Sequence, residues 1–212
     1  NTSLTPAEAR ARLGLSPTDK VMLFFGNIAP YKGLDFLVNA FAAVAPQHPD
    51  YHLIIAGRRK VGDDHWHVVE EVLARSTVRQ QIIERIEYIP DAETEIYFKA
   101  ADVLLLPYTH IFQSGVLFLG YSFGLPALVS DVGSLRDEVV DGRTGSVFKP
   151  RDVADLGSAI VRYFESDLYR SLEWRRAEIR DYANERHSWS KVAKITREVY
   201  LGLLPPQGLS EG

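Results

Sequence analysis

Cysteine is absent from the 212 residues. Disulfide frameworks, thiolate metal sites and cysteine nucleophiles are therefore excluded. A basic excess is also missing, since 24 Lys and Arg stand against 28 Asp and Glu for a formal charge of −4. That sign argues against a general binder of nucleic acid or of anionic membranes. No apolar run approaches the roughly 20 residues that span a bilayer, and no signal peptide opens the chain. A soluble, cytoplasmic protein is the expectation. Methionine is scarce too: Met22 is the only one, so the chain is expected to be a piece of a longer protein. Internal repeats, low-complexity tracts and Gly/Ser linkers are lacking, which points to one domain over residues 1–204 and a frayed tail over 205–212. Within that tail Pro205-Pro206 cannot continue a helix. What remains is an ordinary globular mixture, 46% apolar and 25% charged, with ample material for a core.

Apolar runs alternate with segments of helical period almost from end to end. Residues 21–26 (VMLFFG), 52–57 (HLIIAG), 85–89, 102–107 (DVLLLP), 127–130 and 146–148 read as strands covered on both faces. Between and after them, helical spacing occupies 34–45, 64–75, 93–101, 114–123, 153–164, 168–182 and 188–204. Strands and helices at this spacing form right-handed βαβ units. The expected fold is α/β: a Rossmann-like parallel sheet of about six strands with helices on both faces. Ligands in such sheets bind outside the carboxyl ends of the strands, so the loops there carry the functional information.

The first of these loops runs Gly26-Asn27-Ile28-Ala29-Pro30-Tyr31-Lys32-Gly33 and presents a lysine just before a helix. Free amides at a helix N-terminus with an ammonium beside them make an anion site. The second loop, Gly57-Arg58-Arg59-Lys60, brings consecutive cations to the same edge of a chain that is acidic overall. Taken singly each is an ordinary solvated loop; their coincidence favours a ligand. The fourth loop leads through Gln113-Ser114-Gly115-Val116 into a helix, where Ser114 is a natural N-cap and Gly115 leaves room for a ligand at the backbone amides. Helix capping alone also accounts for Ser114.

Other clusters carry less. The Asp63-Asp64-His65-Trp66-His67 run has metal-ligand chemistry, but a helix points His65 and His67 apart, and acids at a helix start are favoured by its dipole. No metal site is expected. His110 lies in the fourth loop and reads as an exposed histidine or a substrate contact. No nucleophile has a base partner or an elbow motif. Gly26 to Gly33 is neither a P-loop nor a dinucleotide fingerprint.

In order along the chain come Gly26 through Lys32-Gly33, Ile54-Ile55-Ala56-Gly57, Tyr97 with Ala100-Ala101-Asp102-Val103 and Pro107, and Phe123-Gly124-Leu125-Pro126. They continue as Asp131-Val132-Gly133-Ser134, Glu138-Val139-Val140-Asp141-Gly142 with Gly145, and His187-Ser188-Trp189. This series resembles the C-terminal half of a GT-B glycosyltransferase of family 4, a retaining class, over about residues 18–204. The resemblance implies a domain that binds a nucleotide-sugar donor and faces an N-terminal partner domain absent from this chain. It implies no metal or other cofactor, and it leaves open peripheral membrane contact through the absent half. Lys32 is then the residue that binds the donor diphosphate and stabilises the leaving group. Tyr88 and Ile89 form the wall whose backbone reads the nucleobase edge, or simply finish a core strand. The Asp131 to Ser134 loop lines the cleft floor, with Gly133 permitting close approach.

This sequence departs from the family in two places. Asn27 stands where the family has an arginine, and Arg58 or Arg59 is the available substitute. The family's paired glutamates fall on Ile111 and Leu119, neither of them acidic. A branch of the family instead carries Gln-Ser-Gly-Val, as Gln113 to Val116 do here, and holds phosphates through backbone amides. The leading expectation is the donor-binding domain of a retaining glycosyltransferase in glycan or glycoconjugate synthesis, inactive without its other half. The alternatives are a non-catalytic Rossmann-like binding module that has lost its glutamates, and a GT-B relative acting on sugar phosphates.

Overall fold

The structure, a computed structural model, describes residues 3–59, 65–187 and 189–203. Lys60, Asp63, Asp64, Ser188 and the 205–212 tail, all singled out above, lie outside the described residues. In chain order the elements are α1 (Pro6–Arg12), β1 (Lys20–Phe25), α2 (Leu34–Val44), β2 (Tyr51–Ala56), α3 (His65–Arg75), β3 (Ile82–Arg85), α4 (Asp91–Ala100) and β4 (Val103–Leu106). They continue with α5 (Gly115–Ser122), β5 (Ala127–Ser130), α6 (Leu135–Glu138), β6 (Gly145–Phe148), α7 (Val153–Glu165), α8 (Asp167–Arg170), α9 (Leu172–His187) and α10 (Trp189–Leu203).

All strand pairs are parallel, and the six strands lie in the order β3-β2-β1-β4-β5-β6. Successive side chains alternate across the sheet, which creates two cores. Met22, Phe24, Leu53, Ile55, Val103 and Leu105 pack on one face against α2, α3 and α7. Val21, Leu23, Ile54, Ala56, Leu104 and Leu106 pack on the other against α1, α4, α5 and α9. Burial on both faces explains why these strands read as continuous apolar runs rather than alternating ones.

Strand order reverses between β1 and β4, so the crevice at their carboxyl ends is the topological switch point. The loops that follow β1 and β4 therefore define the ligand edge. They are tied together there, since the Thr109 amide donates to the Tyr31 carbonyl at 2.7 Å.

The third strand differs from expectation: it is Ile82–Arg85, not 85–89. The pairing of Ile83 with Ile54 and of Arg85 with Ala56 sets its register, and the Arg85 carbonyl accepts from the Gly57 amide at 2.9 Å as the chain leaves the sheet. Ile89 consequently sits in the following loop. The predicted 168–182 helix is interrupted at Ser171 and continues to His187. Two elements, α1 and α6, were not anticipated. Among the described residues no helix is long and apolar enough to cross a membrane.

Candidate functional site

At the end of β1 the chain turns through Gly26 and Asn27, and Ile28 forms a bridge with Arg59 that extends the β1–β2 pairing. The Gly26 amide donates to the Ala56 carbonyl at 2.9 Å and the Ile28 amide to the Arg58 carbonyl at 2.8 Å. The first two loops thus rise side by side from adjacent strands. Gly57 makes this approach feasible. Its φ is +150°, and a Cβ there would lie 1.8 Å from the Gly26 carbonyl oxygen, closer than any side chain can come.

A 3-10 turn over Pro30–Lys32 swings Lys32 back toward Gly26. Its Nζ ends 3.0 Å from where a Gly26 Cβ would stand. It also lies 5.2 Å from the centroid of the Tyr108 ring, a cation–π contact from the β4 side of the crevice. Lys32 is 5% exposed, and among the described residues no carboxylate pairs with it. Burial pulls its pKa down to about 8, because an ammonium taken from water with no counter-charge is penalised. A buried, unpaired cation at a switch point is costly to keep without an anion to receive.

Behind Lys32, Tyr108 is buried and its hydroxyl makes no hydrogen bond among the described residues. Ser114 is buried beside it. Burial raises the Tyr108 pKa strongly, opposed by the nearby Ser114 hydroxyl, which falls short of full hydrogen-bond geometry. Ser114 does occupy the N-cap position of α5, but its side chain makes no capping hydrogen bond. The explanation of Ser114 as a helix cap is therefore corrected: it stands at the N-cap position, but its hydroxyl does not cap the first amides of α5.

A cavity of about 270 Å³ gathers Phe25, Gly26, Asn27, Lys32, Gly57, Arg58, Tyr88, Ile89 and Val116. Seven of the sequence candidates thus meet in one place. Arg58 donates through Nε to Asn27 Oδ1 at 3.4 Å, so a guanidinium stands beside the position where the family resemblance expected one. Arg59 does not join the cavity, and its guanidinium lies 5.5 Å from the Trp66 ring. Gln113 and Gly115 are exposed at the start of α5, also outside the cavity lining. Tyr88 is 64% exposed while Ile89 is 8% exposed, so the pair presents an aromatic ring to solvent over an apolar wall.

The Asp131 to Ser134 loop is packed on the backbone of the fourth loop. A Cβ on Gly133 would stand 1.8 Å from the Ile111 carbonyl oxygen, so Gly133 makes room for protein backbone. Ser134 fastens the same segment, its hydroxyl donating to the Phe112 carbonyl at 2.7 Å and its amide at 3.1 Å. Asp131 is ion-paired to Arg136. His110 accepts or donates at Nδ1 with the Thr109 hydroxyl at 3.1 Å. His67 is paired with Glu70 at 3.5 Å on the surface of α3. Among the described residues no group of three or more His, Asp or Glu is placed to hold a metal.

Sequence reasoning missed Phe25 and Tyr108 as parts of the site. Both look like strand-end core residues along the chain, and only the approach of two loops makes them line or back the crevice.

A doubly wound sheet with a buried cation and helix amides free of side-chain caps at its switch point has the groups from which anion sites are built. Comparison with known proteins makes the assignment specific. The sequence profile of the group 1 glycosyl transferases matches residues 19–166, and the chain belongs to that family. It is 30% identical over 198 residues to D-inositol 3-phosphate glycosyltransferase of Streptomyces avermitilis, covering 92% of this chain and 42% of that protein. The chain thus spans about half the length of the curated relatives it matches. Among solved structures it resembles Anabaena HepE in complex with UDP, with a TM-score of 0.83 at 18% identity over 96% of this chain and 54% of that one. It also resembles sucrose-phosphate synthase of Thermosynechococcus elongatus, with a TM-score of 0.77 at 24% identity over 93% of this chain and 48% of that one. The fold is that of one GT-B Rossmann-like domain.

Proposed function

We infer that this chain, over residues 1–204, is the donor-binding domain of a retaining glycosyltransferase that builds glycans or glycoconjugates. The observation that carries this reading is Lys32: a buried ammonium with no carboxylate partner among the described residues, at the switch point, beside the uncapped start of α5. A nucleoside diphosphate supplies the two negative charges that such a site lacks. On leaving-group departure, the developing charge on the diphosphate is met by Lys32, Arg58 and backbone amides, all fixed beforehand by the fold. No metal is required for that step. The UDP-bound structural neighbour supports a sugar nucleotide as the donor.

Sugar transfer needs an acceptor held against the donor, and proximity of that kind is worth many powers of ten in rate. The acceptor side is assigned to the N-terminal domain that the relatives' greater length leaves room for. Helix α10 supports such a partner, because Val192, Ile195, Val199 and Leu203 recur at helical spacing and are all exposed. The chain alone is expected to bind nucleotide weakly and to transfer nothing.

A second reading, a binding module that no longer transfers sugar, is favoured by Asn27, Ile111 and Leu119 in place of charged residues. Calorimetric titration with UDP, GDP and ADP, alongside Lys32→Ala, tests the donor site. Binding of one nucleotide that is lost in the variant supports it. Binding insensitive to Lys32 rejects it. Leu119→Glu separates the two readings: a site still shaped around a ribose binds nucleotide more tightly in this variant, and a disused one does not.

A further inference from the structure

Three successive residues of the first loop pack on three successive residues of the fourth. The Tyr31 carbonyl accepts from the Thr109 amide at 2.7 Å and from the Thr109 hydroxyl at 3.3 Å. Gly33, at φ +64°, lies so close to Pro107 that a Cβ there would stand 2.0 Å from the Pro107 carbonyl oxygen. Between these two contacts Lys32 meets Tyr108, its Nζ lying over the ring at 5.2 Å from the centroid. The ring is itself fixed. Tyr31 meets it edge-on at 6.1 Å, the Ser130 hydroxyl donates to the Tyr108 carbonyl at 2.5 Å, and Tyr108 is 1% exposed.

Lys32 lines the cavity and Tyr108 does not, so any part that Tyr108 plays in binding passes through the lysine. Its hydroxyl makes no hydrogen bond among the described residues, which leaves the ring face as the part of the side chain that meets Lys32. That face is the negative side of a quadrupole and attracts an ammonium without bearing net charge, most strongly where both are desolvated. The distinction matters at an anion site. A carboxylate in the same place would neutralise Lys32 and repel a diphosphate. An aromatic face orients the cation and leaves its charge for the incoming anion.

Resting on the nucleotide reading above, we propose that Tyr108 is the positioning residue of Lys32: its ring holds the ammonium at the cavity in place of a carboxylate. Tyr108 thereby acts on the diphosphate without touching it. The packing of Gly33 on Pro107 and the clamp of Ser130 on the Tyr108 carbonyl keep lysine and ring in register.

The experiment replaces Tyr108 with phenylalanine, with its mono-, tri- and pentafluorinated analogues, and with leucine. Fluorine withdraws charge from the ring face with little change of shape, and leucine removes the ring. Each variant is titrated calorimetrically with UDP, GDP and ADP beside wild type and Lys32→Ala, after circular dichroism has confirmed folding. Tyr108→Phe is expected to bind as wild type does, and affinity is expected to fall stepwise with fluorine content, by about tenfold at the pentafluorinated end. NMR reads the Lys32 ε-methylene protons in the same proteins. The ring is expected to hold them upfield in wild type and Tyr108→Phe, and Tyr108→Leu to return them to the ordinary lysine position. Should Tyr108→Leu fail to fold, the near-isosteric fluorinated series still decides. Affinity that is flat or rises with fluorine, binding by Tyr108→Phe as weak as by Lys32→Ala, or Lys32 protons at the ordinary position in wild type overturns the assignment of Tyr108 and leaves the donor site standing. No binding by wild type at millimolar concentration, or binding indifferent to Lys32, overturns the donor site and this proposal with it.

Discussion

Lys32 shows most directly how a single side chain can serve function at the expense of stability. Its ammonium is buried against Tyr108 and Gly26 with no counter-charge among the described residues, a cost that the proposed diphosphate would relieve. Lys32→Met keeps the length of the side chain and removes the charge. The variant is expected to be more stable than wild type by about 1–3 kcal/mol in urea unfolding at pH 7, and to lose nucleotide binding. The pH dependence follows from the same shift. The folded-state pKa is about 8, below the ordinary 10.5, so between those values the unfolded chain holds more protons than the folded one. Stability from this group therefore rises with pH across that window and is constant below it. Nucleotide affinity runs the other way, falling above pH 8 as free Lys32 loses its charge, a trend that titrations at pH 7 and pH 9 would show. Lys32 and Arg58 were legible in the sequence because cations at strand ends are conspicuous in an acidic chain. Tyr108 was not, since its part depends on which loop comes to face it.

Among the elements, the strands were legible wherever burial on both faces produced an unbroken apolar run. β3 was misplaced because the stretch after it, Arg85 to Ile89, also has strand-like composition; what ends the strand is its pairing with β2, including the Arg85–Gly57 hydrogen bond. Helix α1 carried a readable signal that was passed over. Thr5 and Glu8 form a capping box, the Glu8 amide donating to Thr5 Oγ1 at 3.2 Å and the Thr5 amide to Glu8 Oε2 at 2.8 Å, with Pro6 in the first turn. The β1–β2 loop pair depends on Gly57 more than on any side chain. Gly57→Ala is expected to destabilise by at least about 2 kcal/mol, because both the φ and the approach of the Gly26 carbonyl are forbidden to alanine. Thermal unfolding measures this, and nucleotide binding should weaken in the same variant as the loops separate.

At the scale of the whole molecule, the edge opposite the candidate site is held by charge. Nη2 of Arg10 in α1 donates to both carboxylate oxygens of Asp102 at 2.8 Å, and Asp102 also accepts from the Val21 amide at 2.8 Å. Both partners are largely buried. Arg10→Ala leaves the buried Asp102 carboxylate with only the more distant field of the buried Arg176 guanidinium and is expected to cost about 3 kcal/mol in denaturant unfolding. Nucleotide affinity should be unaffected, because this pair lies at the amino ends of the strands and the cavity at the carboxyl ends. The exposed apolar stripe of α10 belongs to the same scale, as the surface on which the proposed N-terminal domain would rest. Sequence periodicity conveyed the sheet and its ligand edge, while the gathering of Lys32, Arg58, Tyr88 and Val116 around one cavity emerged only from the approach of their loops.

The central claim is that a nucleoside diphosphate binds across the β1 and β4 strand ends. Amide chemical-shift mapping during a titration with UDP, GDP and ADP tests it most directly. The account predicts perturbations gathered on Gly26 to Gly33, Gly57 and Arg58, Tyr88 to Asp91 and Ser114 to Val116. Perturbations gathered instead around Arg10, Asp102 and Arg176, at the other edge of the sheet, would contradict it.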